Sequence, residues 1–261
     1  MIDIHSHVVW DVDDGPPRID VSMAMLDAAR ESGTTDIVAT PHMNAQYLYQ
    51  PELVSQRIQE LAAASGGTPR IHQGCEFHLS VDNLDMLMAG PSTYTINNKQ
   101  YLLLECPDQH IGKHADTIMR QLLDSGIVPI IAHPERVPVL QRDPKRLESW
   151  VELGCLTQVT AVSILGVFGR ATASVCGQFF QRGLVHMVAS DAHDPSYRHT
   201  RMDGAYAVVR ERYGEDAAEI LFRENPRCVI EGYPVAGGRQ VFEETQTRRW
   251  WRFWQSGTGI E

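Results

Sequence analysis

Long apolar runs are missing from this sequence. Its hydrophobic stretches, such as residues 127–132, are strand-sized, well short of the ~20 residues that a membrane-spanning helix needs. Cations are in short supply: 23 Lys and Arg stand against 33 Asp and Glu, a formal charge of −10. A surface of that sign repels a phosphate backbone, which argues against nucleic acid as a partner. Patterned cysteine is absent too. Cys75, Cys106, Cys155, Cys176 and Cys228 are odd in number, scattered, and form no C-x-x-C pair. No disulfide framework is indicated, and a reducing compartment is. No basic segment leads into an apolar one after Met1, so no signal peptide is expected and the expected location is cytoplasmic.

What is present is alternation. With 43% hydrophobic residues, the 261-residue chain can bury a substantial core without disulfide or zinc staples. Strand-type runs occur at residues 2–4, 37–39, 70–76, 128–132, 156–160 and 185–189. Helical periodicity occupies residues 19–32, about 51–64, 114–125, 143–153, 164–182, 203–213 and 215–224, often closed by a glycine such as Gly33, Gly126, Gly154 or Gly183. Residues 94–105 read as a hairpin turning at Asn97-Asn98. Strands alternating with helices imply parallel βαβ units. About seven of them predict an α/β fold of the distorted (β/α)7, TIM-like barrel type in a single domain, with an open doubly wound sheet as the alternative. The barrel is expected over residues 1–235, and residues 236–261 read as a Gly-rich linker and an Arg/Trp-rich tail.

Ligand-type side chains sit where those strands end. His5 and His7 close the first strand, and positions i and i+2 of a strand point to the same side, so both rings can reach one ion. Asp13 and Asp14 follow in the next loop. His42, Glu76, Glu105 and His133 each close a later strand, and Asp191 and His193, again i and i+2, close the last. In a barrel the C-terminal strand ends converge on one mouth. A single such histidine is ordinarily a satisfied polar residue, but the joint pattern is hard to produce by accident. Imidazole and carboxylate without thiolate suit manganese, iron or zinc in a catalytic site, and a set this large fits two or three divalent ions better than one.

Arg136 and Arg198 each lie just beyond such residues, and guanidinium groups grip tetrahedral oxyanions through paired donors. Cys176 and Arg182 have the C-x5-R spacing of cysteine-dependent phosphatases, but the segment reads as helix interior, not as a phosphate-cradling loop.

Taken together, Met1-Ile2-Asp3-Ile4-His5-Ser6-His7, Asp11-Val12-Asp13-Asp14-Gly15-Pro16, Thr40-Pro41-His42, Gly74-Cys75-Glu76, Ala132-His133-Pro134-Glu135-Arg136 and Ala189-Ser190-Asp191-Ala192-His193 resemble the polymerase and histidinol phosphatase (PHP) superfamily. The likeness is strongest to its bacterial branch of manganese-dependent protein-tyrosine phosphatases, which act on autophosphorylated tyrosine kinases controlling capsule and exopolysaccharide synthesis. It runs from Met1 to about Pro234. The resemblance implies a three-metal site held by His5, His7, Asp14, His42, Glu76, Glu105, His133, Asp191 and His193, with Glu76 bridging. It implies that Arg136 and Arg198 bind the phosphoryl group, with metal-activated hydroxide attacking phosphotyrosine on a kinase tail and His193 or Asp14 as candidate proton donors. A small-molecule phosphatase, such as one acting on histidinol phosphate, is the alternative within the same machinery. Two features depart from the pattern: Met43-Asn44 after His42, and the tail Arg248-Arg249-Trp250-Trp251-Arg252-Phe253-Trp254. The tail suits either a peripheral membrane contact or packing against the barrel or a neighbouring subunit.

Overall fold

The computed structural model describes residues 1–244, apart from residues 109 and 113 and the side chains of 81 and 82; the Arg/Trp tail lies outside the described residues. Its strands are β1 (Ile2–Ser6), β2 (Asp36–Ala39), β3 (His42–Met43), β4 (Arg70–Gln73), β5 (Glu76–His78), β6 (Tyr101–Glu105), β7 (Val128–Ala132), β8 (Leu156–Thr160) and β9 (Met187–Ala189). Every strand pairing is parallel, in the orders β1-β2-β4 and β3-β5-β6-β7-β8-β9. β1, β2 and β8 are buried at every position, as parallel strands covered on both faces should be.

The helices are α1 (Ile19–Glu31), α2 (Pro51–Ser65), α3 (Val81–Ala89), α4 (Ala115–Asp124), α5 (Pro138–Arg142), α6 (Pro144–Leu153), α7 (Ala161–Ile164), α8 (Arg170–Gln181), α9 (Asp203–Tyr213), α10 (Glu215–Glu219) and α11 (Asn225–Glu231). Trp150, Phe77, Phe179 and Phe222 are among the largest side chains fully buried in the core.

Two staves are interrupted, and the interruptions place the site. Thr40-Pro41 separates β2 from β3, and Gly74-Cys75 separates β4 from β5, so the expected strand over 70–76 is two short ones in different sheets. Pro41 has no N–H to continue a ladder. The chain steps sideways there, and the new register pairs His42 with Glu76. The first and last staves meet at their C-terminal ends, where Ser6 bridges Ala192. Asp191 N donates to His5 O (2.8 Å) and His7 N to Ala192 O (2.8 Å).

Other departures from the sequence reading have local causes. No hairpin forms over 94–105. Asn97 and Asn98 do adopt the turn conformation (φ 53° each), but Tyr94 and Ile96 bury in the core instead of pairing, and β6 runs parallel between β5 and β7. The helix expected over 164–182 breaks into α7 and α8 because Gly166 (φ +78°) and Gly169 (φ +93°) leave the helical region. The last helix does not stop before Pro226: a wide turn over Ile220–Glu224 absorbs the missing N–H, and α11 continues. Helix α3 was not foreseen from the sequence; the Ser80 hydroxyl caps it by accepting from Asn83 N (3.2 Å).

At the opposite end of the barrel, the segment after α11 straps the strand starts. Tyr101 OH donates to Tyr233 O (2.7 Å) and accepts from Val235 N (2.9 Å), while Gln240 N donates to Gly183 O (2.9 Å). Among the described residues, no helix is long and apolar enough to cross a membrane.

Candidate metal centre

The residues expected as ligands converge at the C-terminal strand ends in three groups, within each of which the ligand atoms lie within 4.8 Å of one another. One group is His7, Asp14, His42 and His193; the second is His5, Glu76, His133 and Asp191; the third is His42, Glu76 and Glu105. His42 and Glu76 each belong to two groups. Glu76 is central: Oε1 lies 3.3 Å from His5 Nε2 and 2.8 Å from His133 Nε2, and Oε2 lies 3.2 Å from His7 Nε2 and 3.0 Å from His42 Nδ1. Asp14 Oδ1 stands 3.4 Å from both His42 Nε2 and His193 Nε2.

The imidazoles are aimed by residues behind them. His5 Nδ1 donates to Gln158 Oε1 (2.9 Å), His7 Nδ1 to Asp13 Oδ2 (2.6 Å) and His193 Nδ1 to the Asp191 carbonyl (3.1 Å). Each bond fixes one tautomer and leaves the Nε2 lone pair facing the shared cavity, the arrangement that metal-bound histidines require. Asp13 also accepts from His42 N (3.1 Å), and His78 Nδ1 pairs with Glu105 Oε2 (2.9 Å). Gln158 and His78 escaped the sequence reading, which named Asp13 beside Asp14 without giving it this supporting role. The one visible signal was Gln158 itself, an amide within a fully buried strand. Gly15 is required beside this shell, because a Cβ there would lie 2.5 Å from the His7 carbonyl oxygen.

Charge within the cluster is mutually supported. Burial works against ionised Glu76, but His5, His133 and His42 hold it well below the usual carboxylate range. Asp191 is depressed in the same way, with His5, Arg136 and Arg198 overcoming its burial. Burial and the neighbouring His7 lower His193 to about 4, which keeps its ring neutral and able to coordinate. Arg136 and Arg198 both donate to Asp191 Oδ2, the latter at 2.7 Å, so the two guanidinium groups meet at one edge of the cluster.

The backbone is strained at two of these positions. His133 (φ 31°) and Asp191 (φ 50°) occupy a region that non-glycine residues seldom enter.

The residues fit divalent cations. The donor set is imidazole and carboxylate only. His42 Nδ1, Glu76 Oε2, Asp191 Oδ1 and His193 Nε2 are buried close to other polar atoms of the cluster but make no aligned hydrogen bond, an arrangement that is unfavourable unless something else satisfies them. Cys176, by contrast, is buried inside α8 with its thiol raised well above its ordinary value by burial, and Arg182 pairs with Glu148 at 2.7 Å. Neither serves a phosphate loop.

Comparison with known proteins points the same way. The family model described as capsular polysaccharide synthesis, CpsB/CapC, matches residues 1–231. The tyrosine-protein phosphatase CpsB of Streptococcus pneumoniae is 34% identical over 239 residues, spanning 88% of this chain and 98% of that protein. A solved structure from work on YwqE of Bacillus subtilis and CpsB of Streptococcus pneumoniae, described there as unique metal-dependent tyrosine phosphatases, matches with a TM-score of 0.85 at 28% identity. It covers 95% of this chain and 100% of its own. The phosphotriesterase of Mycobacterium tuberculosis, at 12% identity and a TM-score of 0.58 over 91% of this chain and 94% of its own, shares the fold alone.

Proposed function

The chain belongs to the capsular polysaccharide synthesis CpsB/CapC family, and from that membership we propose that it is a metal-dependent protein-tyrosine phosphatase. Its substrate in this reading is phosphotyrosine on an autophosphorylated kinase tail that regulates capsule or exopolysaccharide synthesis, in the cytoplasm. The single observation that carries the proposal is the convergence of three overlapping ligand groups on Glu76 and His42, beside two guanidinium groups that meet at Asp191.

In this reading His5, His7, Asp14, His42, Glu76, Glu105, His133, Asp191 and His193 would hold two or three divalent ions, manganese in preference to iron or zinc, and Glu76, common to two ligand groups, would be shared between them. Such ions, when bound, acidify coordinated water and screen phosphoryl charge. The chain's own groups do the rest. Arg136 and Arg198 grip the phosphoryl oxygens through planar donor forks, and Asp191 holds both forks in register. Asp14 and His193, 3.4 Å apart, would position the water whose proton returns to the departing phenolate, since His193 is held neutral with its Nε2 lone pair turned inward. That phenolate is a fair leaving group, with a phenol pKa of about 10. Gln158, Asp13 and His78 keep the ligands aimed. A small phosphate ester such as histidinol phosphate could use the same machinery, but kinship with tyrosine-protein phosphatases favours the protein substrate. Residues 1–235 form the catalytic unit in this proposal; of the linker and tail over 236–261, Gly238 and Gln240 are tied to that unit, and the Arg/Trp-rich end contacts a membrane or a neighbouring subunit.

Metal quantification on the purified protein, paired with a phosphotyrosine-peptide assay, tests the assignment. Chelator is expected to abolish turnover and added manganese to restore it, and His133→Ala is expected to be inactive yet folded. Full turnover in chelator, or a fully active His133→Ala, refutes the site.

A further inference from the structure

Beside the two guanidinium groups the mouth carries an aromatic wall that phosphate chemistry does not use. Phe168, in the turn between α7 and α8, lies with its ring 4.8 Å from the Arg136 guanidinium carbon. Tyr197 directly precedes Arg198 and packs edge-on against Phe168, with centroids 6.1 Å apart at 78°. Tyr197 is 57% exposed, and Val167 (37%) and Leu165 (41%) extend the apolar surface. The wall is rigidly placed. Asp194 accepts from Ser196 N (2.7 Å), Tyr197 N (2.6 Å) and Arg198 N (3.0 Å), which locks the ring and the guanidinium into one loop geometry. Tyr197 OH makes one long contact with Val167 O (3.4 Å), and its ring stays open to solvent next to Arg198, where a ligand with an anionic end and a flat apolar body would meet it.

We propose that Phe168 and Tyr197 form the subsite for the aromatic ring of the substrate, so that the site selects aryl over alkyl phosphate monoesters. The proposal rests on the phosphatase reading and refines it. In an aryl phosphate a single bridging oxygen joins phosphorus to the ring, so a phosphoryl group held by Arg136 brings that ring within van der Waals reach of Phe168. The tilted pair of Phe168 and Tyr197 then offers it one face and one edge, the geometries that aromatic rings favour. An alkyl ester of the same charge finds no such partner.

The test is calorimetric titration of the metal-loaded full-length protein with phenylphosphonate and methylphosphonate, run beside kcat/KM for phenyl phosphate and methyl phosphate. Wild type is expected to favour the phenyl compounds by about tenfold, the scale of one good aromatic contact. Tyr197→Ala and Phe168→Leu are expected to lose most of that preference without weakening the methyl compounds, and Tyr197→Phe to keep it. Equal weakening of both compound types, or a preference that survives Tyr197→Ala and Phe168→Leu alike, overturns the proposal. Hydrolysis without any phenyl preference removes the subsite and leaves the phosphatase assignment standing. Phenyl preference without hydrolysis keeps the ring site and removes that assignment.

Discussion

The two ends of this barrel are built from the same strands yet treat their polar groups in opposite ways. At the strand starts, the buried polar groups of Tyr101, His186 and Asn225 are matched. Tyr101 OH both donates and accepts, and His186 receives Thr157 N on Nδ1 (3.2 Å) while giving Nε2–H to Gly238 O (2.9 Å). Asn225 closes onto the His186 carbonyl at 2.8 Å. At the strand ends, imidazoles and carboxylates crowd together, several donor atoms are left unpaired, and His133 and Asp191 sit in strained backbone. Such strain costs about 1–3 kcal/mol per residue and persists only where the surroundings impose it. One end is arranged for stability, the other for holding something the chain does not itself supply.

Substitutions at the two ends should therefore separate function from stability. The largest effect is expected from Asp13→Ala, which removes the carboxylate behind His7 Nδ1 without touching a proposed ligand. Loss of such a supporting carboxylate weakens metal affinity about 10–100-fold. Calorimetric metal titration should show that loss, with the melting temperature of the metal-free protein nearly unchanged; equal metal affinity would erase the distinction between the ends.

The next effect belongs to the strapped end. Burial lowers the His186 imidazole to about 4 from its ordinary 6.5, the Gly238 carbonyl opposing. The unfolded chain therefore takes up a proton near pH 6.5 that the folded protein refuses until about pH 4. Stability is fully present above that window and declines as pH falls through it, by about 3 kcal/mol in all. His186→Gln should be less stable at neutral pH and should lack this component of the acid slope. A wild-type slope in that variant would place the titration elsewhere. The smallest effect is expected for Cys176→Ser: turnover unchanged, with a modest drop in melting temperature from a hydroxyl placed in the core. An inactive but folded Cys176→Ser would revive the cysteine mechanism.

How much of this was legible in the sequence follows the range of the interactions involved. His5 with His7 and Asp191 with His193 announce themselves by two-residue spacing, and the parallel α/β class follows from alternating periodicity. The CpsB/CapC membership accords with the quoted motifs. What stayed hidden depends on partners distant in the chain. Gln158 gains its role only when β8 is set beside β1, and nothing adjacent to Asp13 distinguishes it from Asp14. Asn97-Asn98 carried a true turn signal, but whether a hairpin formed depended on Tyr94 and Ile96, which the core claimed. Gly166 and Gly169 were visible breakers, underweighted against the helical periodicity around them.

The offsets at Thr40-Pro41 and Gly74-Cys75 make the separation of His42 from Glu76 a property of the main chain. Exchanging neighbouring side chains can retune which cation is preferred, but it cannot draw these two donors apart while their backbones stay paired. Adding or deleting one residue in either offset would, since a single-residue slip turns a strand side chain to the opposite face. The centre is thus forgiving of chemical variation and brittle to changes in length.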